Sequence, residues 1–253
     1  MKSKIKEFWD KHYNDSDFDV SMEINGRLFL SDKTIELKDK SLLIISCGTG
    51  EHVVRAARER ANVVALDISP KAVKNAQEMM QLHDLQADYL VADAGNTGLP
   101  NQAFDIVWGN AVLHHLEHKK CSSEIARILK LGGMVFFVEE PTFFNPILKF
   151  AYEFCFGKGR DGRRKKFLFI ERGGDEFEKP IDTNDLVEWS EYFHIDKQPQ
   201  NLMFFEKISH VVSFISHNGR IHKLLRGFDY YLLKLFPALK KYGYEYNFIM
   251  TLK

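Results

Sequence analysis

The sequence predicts an α/β fold built on a doubly wound, mostly parallel sheet, and three observations carry that prediction. Leu42–Ile45 is an apolar run too short for a helix and right for a buried parallel strand. Ser46, Cys47, Gly48, Thr49 and Gly50 break it, and apolar residues resume at helical spacing through Val53, Val54, Ala56 and Ala57. Short β-branched runs then alternate with helical stretches as far as Glu139, the pattern of parallel strands joined by crossover helices. Two of those strands end on acids, Asp67 and Asp93, which with the glycine turn converge on one sheet edge. Glycines at such a junction let the backbone approach a ligand, and the amides that open the helix favour an anionic, nucleotide-type group.

In chain order, Lys4–Tyr13 reads as an amphipathic helix with Ile5, Phe8, Trp9 and His12 on one side, packing on the core. Arg27–Leu37 is the helix before the first strand, and Lys38–Lys40 a polar connection. Asn62–Leu66 is the second strand. Ser69 caps and Pro70 opens the next helix, whose inner face is Ala72, Val73, Ala76, Met79 and Met80. Tyr89–Ala92 is the third strand, and a turn-rich link, Gly95–Gln102, leads to the fourth, Phe104–Trp108. Cys121–Lys130 makes a helix closed by Gly132 and Gly133 before the fifth strand, Met134–Glu139.

The alternation breaks between Pro141 and Pro180. An aromatic helix, Ile147–Phe156, is followed by the basic cluster Lys158, Arg160, Arg163, Arg164, Lys165 and Lys166. This stretch reads as a cap inserted over the functional sheet edge. The cluster is either a solvated loop neutralised by Asp175, Glu176 and Glu178 or a clamp for an anion. Asp182–Phe193 is a capped helix and Asn201–Phe205 the sixth strand. Ile208–Phe236 is largely helical with a wide apolar, aromatic face, a second piece of the cap, and Tyr244–Leu252 is the closing strand.

Five segments, ISCGTG, ALDIS, VADAGNTGLP, FDIVWGNAVLHHLEH and LKLGGMVFFVEEP, stand in the order and spacing of a known family. Over most of its first 140 residues the chain resembles the class I S-adenosylmethionine-dependent methyltransferases of the small-molecule type. The resemblance implies one domain over residues 1–253, a seven-stranded Rossmann-like sheet whose last strand is antiparallel and inserts beside the fifth. Its parts are N-terminal helices (1–40), a cofactor-binding core (41–140), a cap insertion (141–182) and a C-terminal sheet half (183–253) with a helical cap at 208–236. It implies S-adenosylmethionine as cofactor and S-adenosylhomocysteine as product. Ser46, Cys47, Gly48 and Gly50 form the turn, with the two glycines toward the methionine end. Asp67, with Ile68 beside it, holds the ribose hydroxyls. Asp93 accepts from the adenine amino group next to the Ala94 N–H, Asn110 offers its backbone near the methionine amine, and Trp9 and Tyr13 close over the cofactor. The chain departs from the family at Ile44, where an acid is usual, and at Ser46, where the first glycine is usual.

Methyl transfer from a sulfonium is an in-line displacement, and placement alone can supply on the order of 7–11 kcal/mol. An alcohol or phenol acceptor also loses a proton, so a base helps. His114 and His115 follow the fourth strand and are the candidates, with helix-start packing as their plain alternative. Glu139 and Glu140, at the tip of the fifth strand, are expected to bind a hydroxyl or cation of the acceptor. His114, His118 and Cys121 fall at i, i+4 and i+7 of a helical stretch, but no C-x-x-C or H-E-x-x-H accompanies them and no metal is expected.

Composition narrows the classes. The length, 253 residues, suits one α/β domain with an insertion, and 45% hydrophobic residues allow a sizeable core. Lys+Arg and Asp+Glu are equal at 35 each, so no global basic field draws the chain to nucleic acid or membrane. Membrane-surface or dimer contact through 147–167 or 208–236 ranks behind cap packing. Cys47, Cys121 and Cys155 are widely spaced, which predicts a reducing compartment. A charged N-terminus and the lack of an apolar span place the chain in the cytoplasm. The reading is a small-molecule methyltransferase acting at oxygen on an acceptor with an apolar or anionic portion. Two classes compete with it: an NAD-dependent oxidoreductase, which would want a third glycine at Val53, and a non-catalytic cofactor-binding scaffold, to which Ile44 and Ser46 point.

Overall fold

The computed structural model describes residues 2–15, 35–157, 166–167, 170–171, 179–201 and 219–253. In chain order the elements are α1 (Lys2–Asp15), β1 (Ser41–Ile45), α2 (Glu51–Arg58), β2 (Asn62–Asp67), α3 (Pro70–Leu82), β3 (Asp88–Val91) and β4 (Phe104–Asn110). A 3-10 turn at Leu113–His115 leads to α4 (His118–Ile128), β5 (Leu129–Pro141) and α5 (Pro146–Phe156). The two-residue strands β6 (Lys166–Phe167) and β7 (Ile170–Glu171), α6 (Val187–Ser190) and β8 (Phe193–Asn201) follow, then α7 (Gly219–Leu235), a 3-10 segment at Pro237–Tyr242 and β9 (Glu245–Leu252).

One sheet of seven strands runs β3-β2-β1-β4-β5-β9-β8. The first five are mutually parallel and β9 enters antiparallel between β5 and β8, as expected. β1 is central because Leu42–Ile45 are buried on both faces. Leu42 and Ile44 join Ile106, Trp108, Phe136 and Val138 under α2 and α3, while Leu43 and Ile45 join Val107 and Phe137 on the side of α4 and α6. Removing each such side chain from water contributes about 1.5–3 kcal/mol, so a continuous apolar run has its lowest free energy in the middle of the sheet. α3 starts as its sequence requires: the Ser69 Oγ accepts from the Ala72 N–H at 3.1 Å and Pro70 occupies the first turn.

Four expectations are corrected. α4 begins at His118 rather than Cys121 and ends at Ile128, because Leu129 already pairs with Phe104; Gly132 and Gly133 therefore lie inside β5, where the register with β4 shifts. The helix expected over Asp182–Phe193 shrinks to the single turn α6, since Asp182 Oδ1 takes the Asn184 and Asp185 amides and Phe193 is already paired with Leu252. The sixth strand of the sheet is β8, which occupies Phe193–Asn201, ahead of the strand expected over Asn201–Phe205, of which residues 202–205 lie outside the described residues. It is an edge strand that holds Pro199, and its polar run HIDKQPQN hides the period of two. Residues 35–37, the described end of the helix expected at Arg27–Leu37, are not helical, and Leu37 is a buried core residue. The rest of that helix, the cluster from Lys158 to Lys165, Asp175, Glu176, Glu178 and residues 208–218 of the C-terminal helix lie outside the described residues. Among the described residues no helix is long and apolar enough to cross a membrane.

Candidate active site

A cavity of about 440 Å³ opens at the C-terminal edge of the parallel strands, walled by the ends of β1, β2 and β4 and roofed by α1. Eight of the eleven residues expected at the cofactor line it: Trp9, Tyr13, Ser46, Asp67, Ile68, Asp93, Ala94 and Asn110. Asp67 organises the floor. Its Oδ2 accepts from the Gly48 N–H at 3.1 Å and its Oδ1 from the Ser69 N–H at 3.0 Å, so the tip of β2 grips the turn after β1. Burial pushes the Asp67 carboxyl above its ordinary pKa, the amides of Ser69, Gly48 and Ile68 oppose that shift, and Asp10 adds to it.

The turn itself is built on positive φ: Ser46 at 53°, Gly48 at 52° and Gly50 at 92°. Ser46 takes the left-handed conformation that glycine adopts without strain, so the turn keeps its shape without the usual first glycine. A Cβ at Gly48 would lie 3.0 Å from the Tyr13 hydroxyl, so the bare Cα makes room for the roof. The Tyr13 hydroxyl is pushed well above its ordinary pKa by burial, then by Asp67 and Cys47. Ser69 Oγ donates to Asp10 Oδ1 at 2.5 Å, docking α1, and Ile5, Trp9 and Tyr13 face the cavity from that helix.

Two turn residues serve the core instead. Cys47 is buried under α2 and α3, its amide donating to the Leu66 carbonyl, and burial pushes its thiol well up. Gly50 caps α2, and a Cβ there would lie 2.7 Å from Ala76 Cα; its bare backbone lets α3 approach rather than a ligand. Ile44, in the usual acid's place, is likewise a core residue.

Farther along the edge, Asp93 Oδ1 accepts from the Gly95 N–H at 2.9 Å, and Ala94 is buried beside it. His115 faces the cavity with its ring edge-on to Trp9 at 5.2 Å and 4.0 Å from the His114 ring. His114 does not line the cavity, and its Nδ1 sits 2.8 Å from Glu140 Oε2. Glu140 is 0% exposed, so the expected acceptor contact is corrected: this carboxylate faces the interior. Glu139 is exposed, does not line the cavity, and has φ 56°. His118 does line it. The Trp189 Nε1–H donates to His118 Nδ1 at 3.1 Å, which puts the His118 proton on Nε2, facing Asp185 Oδ1 at 3.4 Å. Burial raises the Asp185 carboxyl, but hydrogen bonds from His118 and Lys179 outweigh it and hold the group well below the usual range. Among the described residues no three His, Cys, Asp or Glu side chains gather as a metal site. Sequence reasoning missed Ile5, Ala111, Val112 and Leu116 as lining residues, apolar positions with no chemical signature.

The residues present fit an adenosyl sulfonium. An ionised carboxylate has about four acceptor sites. The Gly48 and Ser69 amides take one site on each Asp67 oxygen and the Ile68 amide also acts on the carboxylate, so one site remains for a ribose hydroxyl. The walls about Asp93 are apolar enough for a purine, and Ser46 lines the cavity from the turn after β1.

Residues 43–137 match the model of the methyltransferase domain family. An uncharacterized methyltransferase of Mycobacterium tuberculosis is 32% identical over 121 residues, 47% of this chain and 59% of that protein. A ubiquinone biosynthesis O-methyltransferase of Coxiella burnetii is 24% identical over 166 residues, 65% of this chain and 67% of that protein. The fold matches a solved S-adenosylmethionine-dependent methyltransferase from Methanosarcina mazei with a TM-score of 0.57 at 19% identity, covering 85% of this chain and 93% of that one. The matched segment spans β1 to β5, and the seven-stranded sheet completed around it has the Rossmann-like methyltransferase fold.

Proposed function

We propose that the chain transfers a methyl group from S-adenosylmethionine to an oxygen of a small molecule that carries an apolar portion. The observation that carries this is the convergence of Asp67, Asp93 and His115 on one cavity at the C-terminal sheet edge. When bound, the cofactor supplies an electrophilic methyl on a sulfonium. Asp67 accepts from a ribose hydroxyl and Asp93 from the adenine amine, which fixes the adenosyl end; the turn after β1 and Asn110 take the methionine end. The roof of Ile5, Trp9 and Tyr13 excludes water from the reacting centre. His115 takes the proton of the acceptor hydroxyl as the oxygen forms its bond to the methyl carbon and the carbon–sulfur bond breaks. An acceptor with an apolar portion suits the exposed Ile147, Phe150 and Phe154 of α5, which follows β5 at the same edge. The names of relatives agree with oxygen chemistry, the Coxiella protein above and a rifamycin methyltransferase of Amycolatopsis mediterranei that is 33% identical over 96 residues among them.

Calorimetric titration with S-adenosylhomocysteine, S-adenosylmethionine and NAD tests the cofactor, and a mass-spectrometric screen of phenols and quinols tests the acceptor. Expected are binding of both adenosyl ligands, loss of at least tenfold in affinity on Asp93→Ala, and O-methylated product from an apolar phenol or quinol, a loss of that size following from one hydrogen bond of about 1.4 kcal/mol. Heat from NAD alone would overturn the reading.

A further inference from the structure

We propose that Glu140 is a positioning residue that fixes the histidine pair of the cavity wall without touching the acceptor. This rests on the methyltransferase reading for its purpose, though not for its geometry. Its Oε1 accepts from the Val112 and Leu113 amides, both at 2.8 Å, and its Oε2 from the His114 amide at 3.3 Å and His114 Nδ1 at 2.8 Å. Those four bonds fill the acceptor capacity of a carboxylate, which leaves nothing for a substrate hydroxyl. A carboxylate offers no proton, so His114 Nδ1 must be the donor and, in the neutral ring, Nε2 holds the lone pair. The same four bonds pin residues 112–114 against β5. That segment carries the wall formed by Ala111, Val112 and His115, whose ring rests 4.0 Å from the ring of His114.

The bulge at Glu139 makes this contact possible. Phe136 and Val138 face α2 and α3 while Phe137 faces α4, so an uninterrupted strand would turn Glu140 toward α2 and α3. The register with β9 instead shifts between Phe137 and Glu140, Glu139 adopts φ 56°, and its amide donates to Asn247 Oδ1 at 3.0 Å. One added residue swings Glu140 to the side of the 3-10 turn.

The test reads the tautomer directly, by long-range ¹H–¹⁵N correlation on protein labelled with ¹⁵N-histidine, with His114→Gln identifying the His114 signals. In the wild type at neutral pH the His114 proton is expected on Nδ1. In Glu140→Gln the carboxamide oxygen keeps the Val112 and Leu113 amides and its NH₂ faces Nδ1, so the proton is expected to move to Nε2. S-adenosylhomocysteine affinity should then stay within about threefold, while Glu140→Ala, which orphans three buried amides, should lower it about tenfold or more. A wild-type ring protonated only on Nε2, or the same tautomer in wild type and Glu140→Gln, would overturn the proposal, and the wild-type spectrum decides even if a variant fails to fold. A protein that shows the Nδ1 tautomer yet binds no adenosyl ligand would keep the geometry and sink the methyltransferase reading alone.

Discussion

Replacing Asp67 with Asn separates the carboxylate's two jobs. In the folded chain each Asp67 oxygen already accepts one backbone amide, from Gly48 at 3.1 Å and from Ser69 at 3.0 Å. A carboxamide has one oxygen, so whichever way it turns its NH₂ opposes one of those N–H groups, at roughly 1–3 kcal/mol of stability for the amide left unpaired. One ribose hydroxyl also loses a charged acceptor, a hydrogen bond of about 1.5–3 kcal/mol, which is about 10- to 150-fold in S-adenosylhomocysteine affinity. Titration calorimetry at neutral pH reads that ratio, and a pH series reads its origin. Burial holds the Asp67 carboxyl above the ordinary value in the unliganded fold, so its ionised form is disfavoured there. Its contribution to the stability of the unliganded protein is therefore present below the unfolded value of about 4 and lost as pH rises through the folded one. Hydroxyl donors favour the ionised form, so ligand binding expels a proton and strengthens as pH rises through that raised value. The wild type should thus bind more weakly as pH falls toward about 4, and Asp67→Asn should show a flatter profile. An affinity for Asp67→Asn within threefold of wild type, or the same pH slope in both proteins, would refute the assignment of Asp67 to the ribose.

Gly50→Ala tests the claim that this glycine serves packing. Its Cβ would meet Ala76 Cα at 2.7 Å and the Ala76 carbonyl oxygen at 3.2 Å, backbone atoms that cannot step aside, and φ 92° is strained for any L side chain. Left-handed strain of about 1–2 kcal/mol and overpacking of about 1–3 kcal/mol predict a loss of roughly 2–5 kcal/mol in urea unfolding; a loss under about 1 kcal/mol would contradict it. Ser46→Gly goes the other way. Relief of φ 53° strain is worth about 1–2 kcal/mol and the added unfolded-state entropy costs about 0.4–1 kcal/mol, so the urea midpoint should rise by the equivalent of up to about 1.6 kcal/mol with an unchanged m-value.

The centre of the sheet was legible because burial on both faces writes itself as an unbroken apolar run, and Leu42–Ile45 could be nothing else. Asp67 and Asp93 were legible because a strand tip is a fixed offset from a glycine turn. Gly50 was misassigned for a physical reason: a close approach by Ala76, from a different helix, leaves no local trace and looks the same in sequence as a ligand cradle. Glu140 failed similarly. Alternation along β5 holds until Glu139, where the bulge is secured by Asn247, 108 positions away, so no window on β5 contains the cause. β8 was missed because an edge strand paired only with β9 is free to be polar.

Three of the non-glycine residues with positive φ lie near the C-terminal ends of the adjacent strands β1, β4 and β5: Ser46 and Ala111 just past them, and Glu139 two residues before the end of β5. Strain of that kind costs of order 1–3 kcal/mol at each position and persists only where surrounding contacts over-determine it. Here the contacts are visible. The Gly48 amide beside Ser46 is held by Asp67, the Ala111 amide by the Val138 carbonyl, and the Glu139 amide by Asn247. Ser46 and Ala111 end their strands and send the chain into the cavity wall, whereas Glu139 bulges β5, which runs on to Pro141, so that Glu140 can reach the 3-10 turn. A smoothly continued strand would instead carry its side chains past the edge in strict alternation, with Glu140 turned from His114. The cavity and the histidine pair behind it therefore share one origin, three local distortions held by ordinary hydrogen bonds, and backbone strain at those positions is part of what shapes the site.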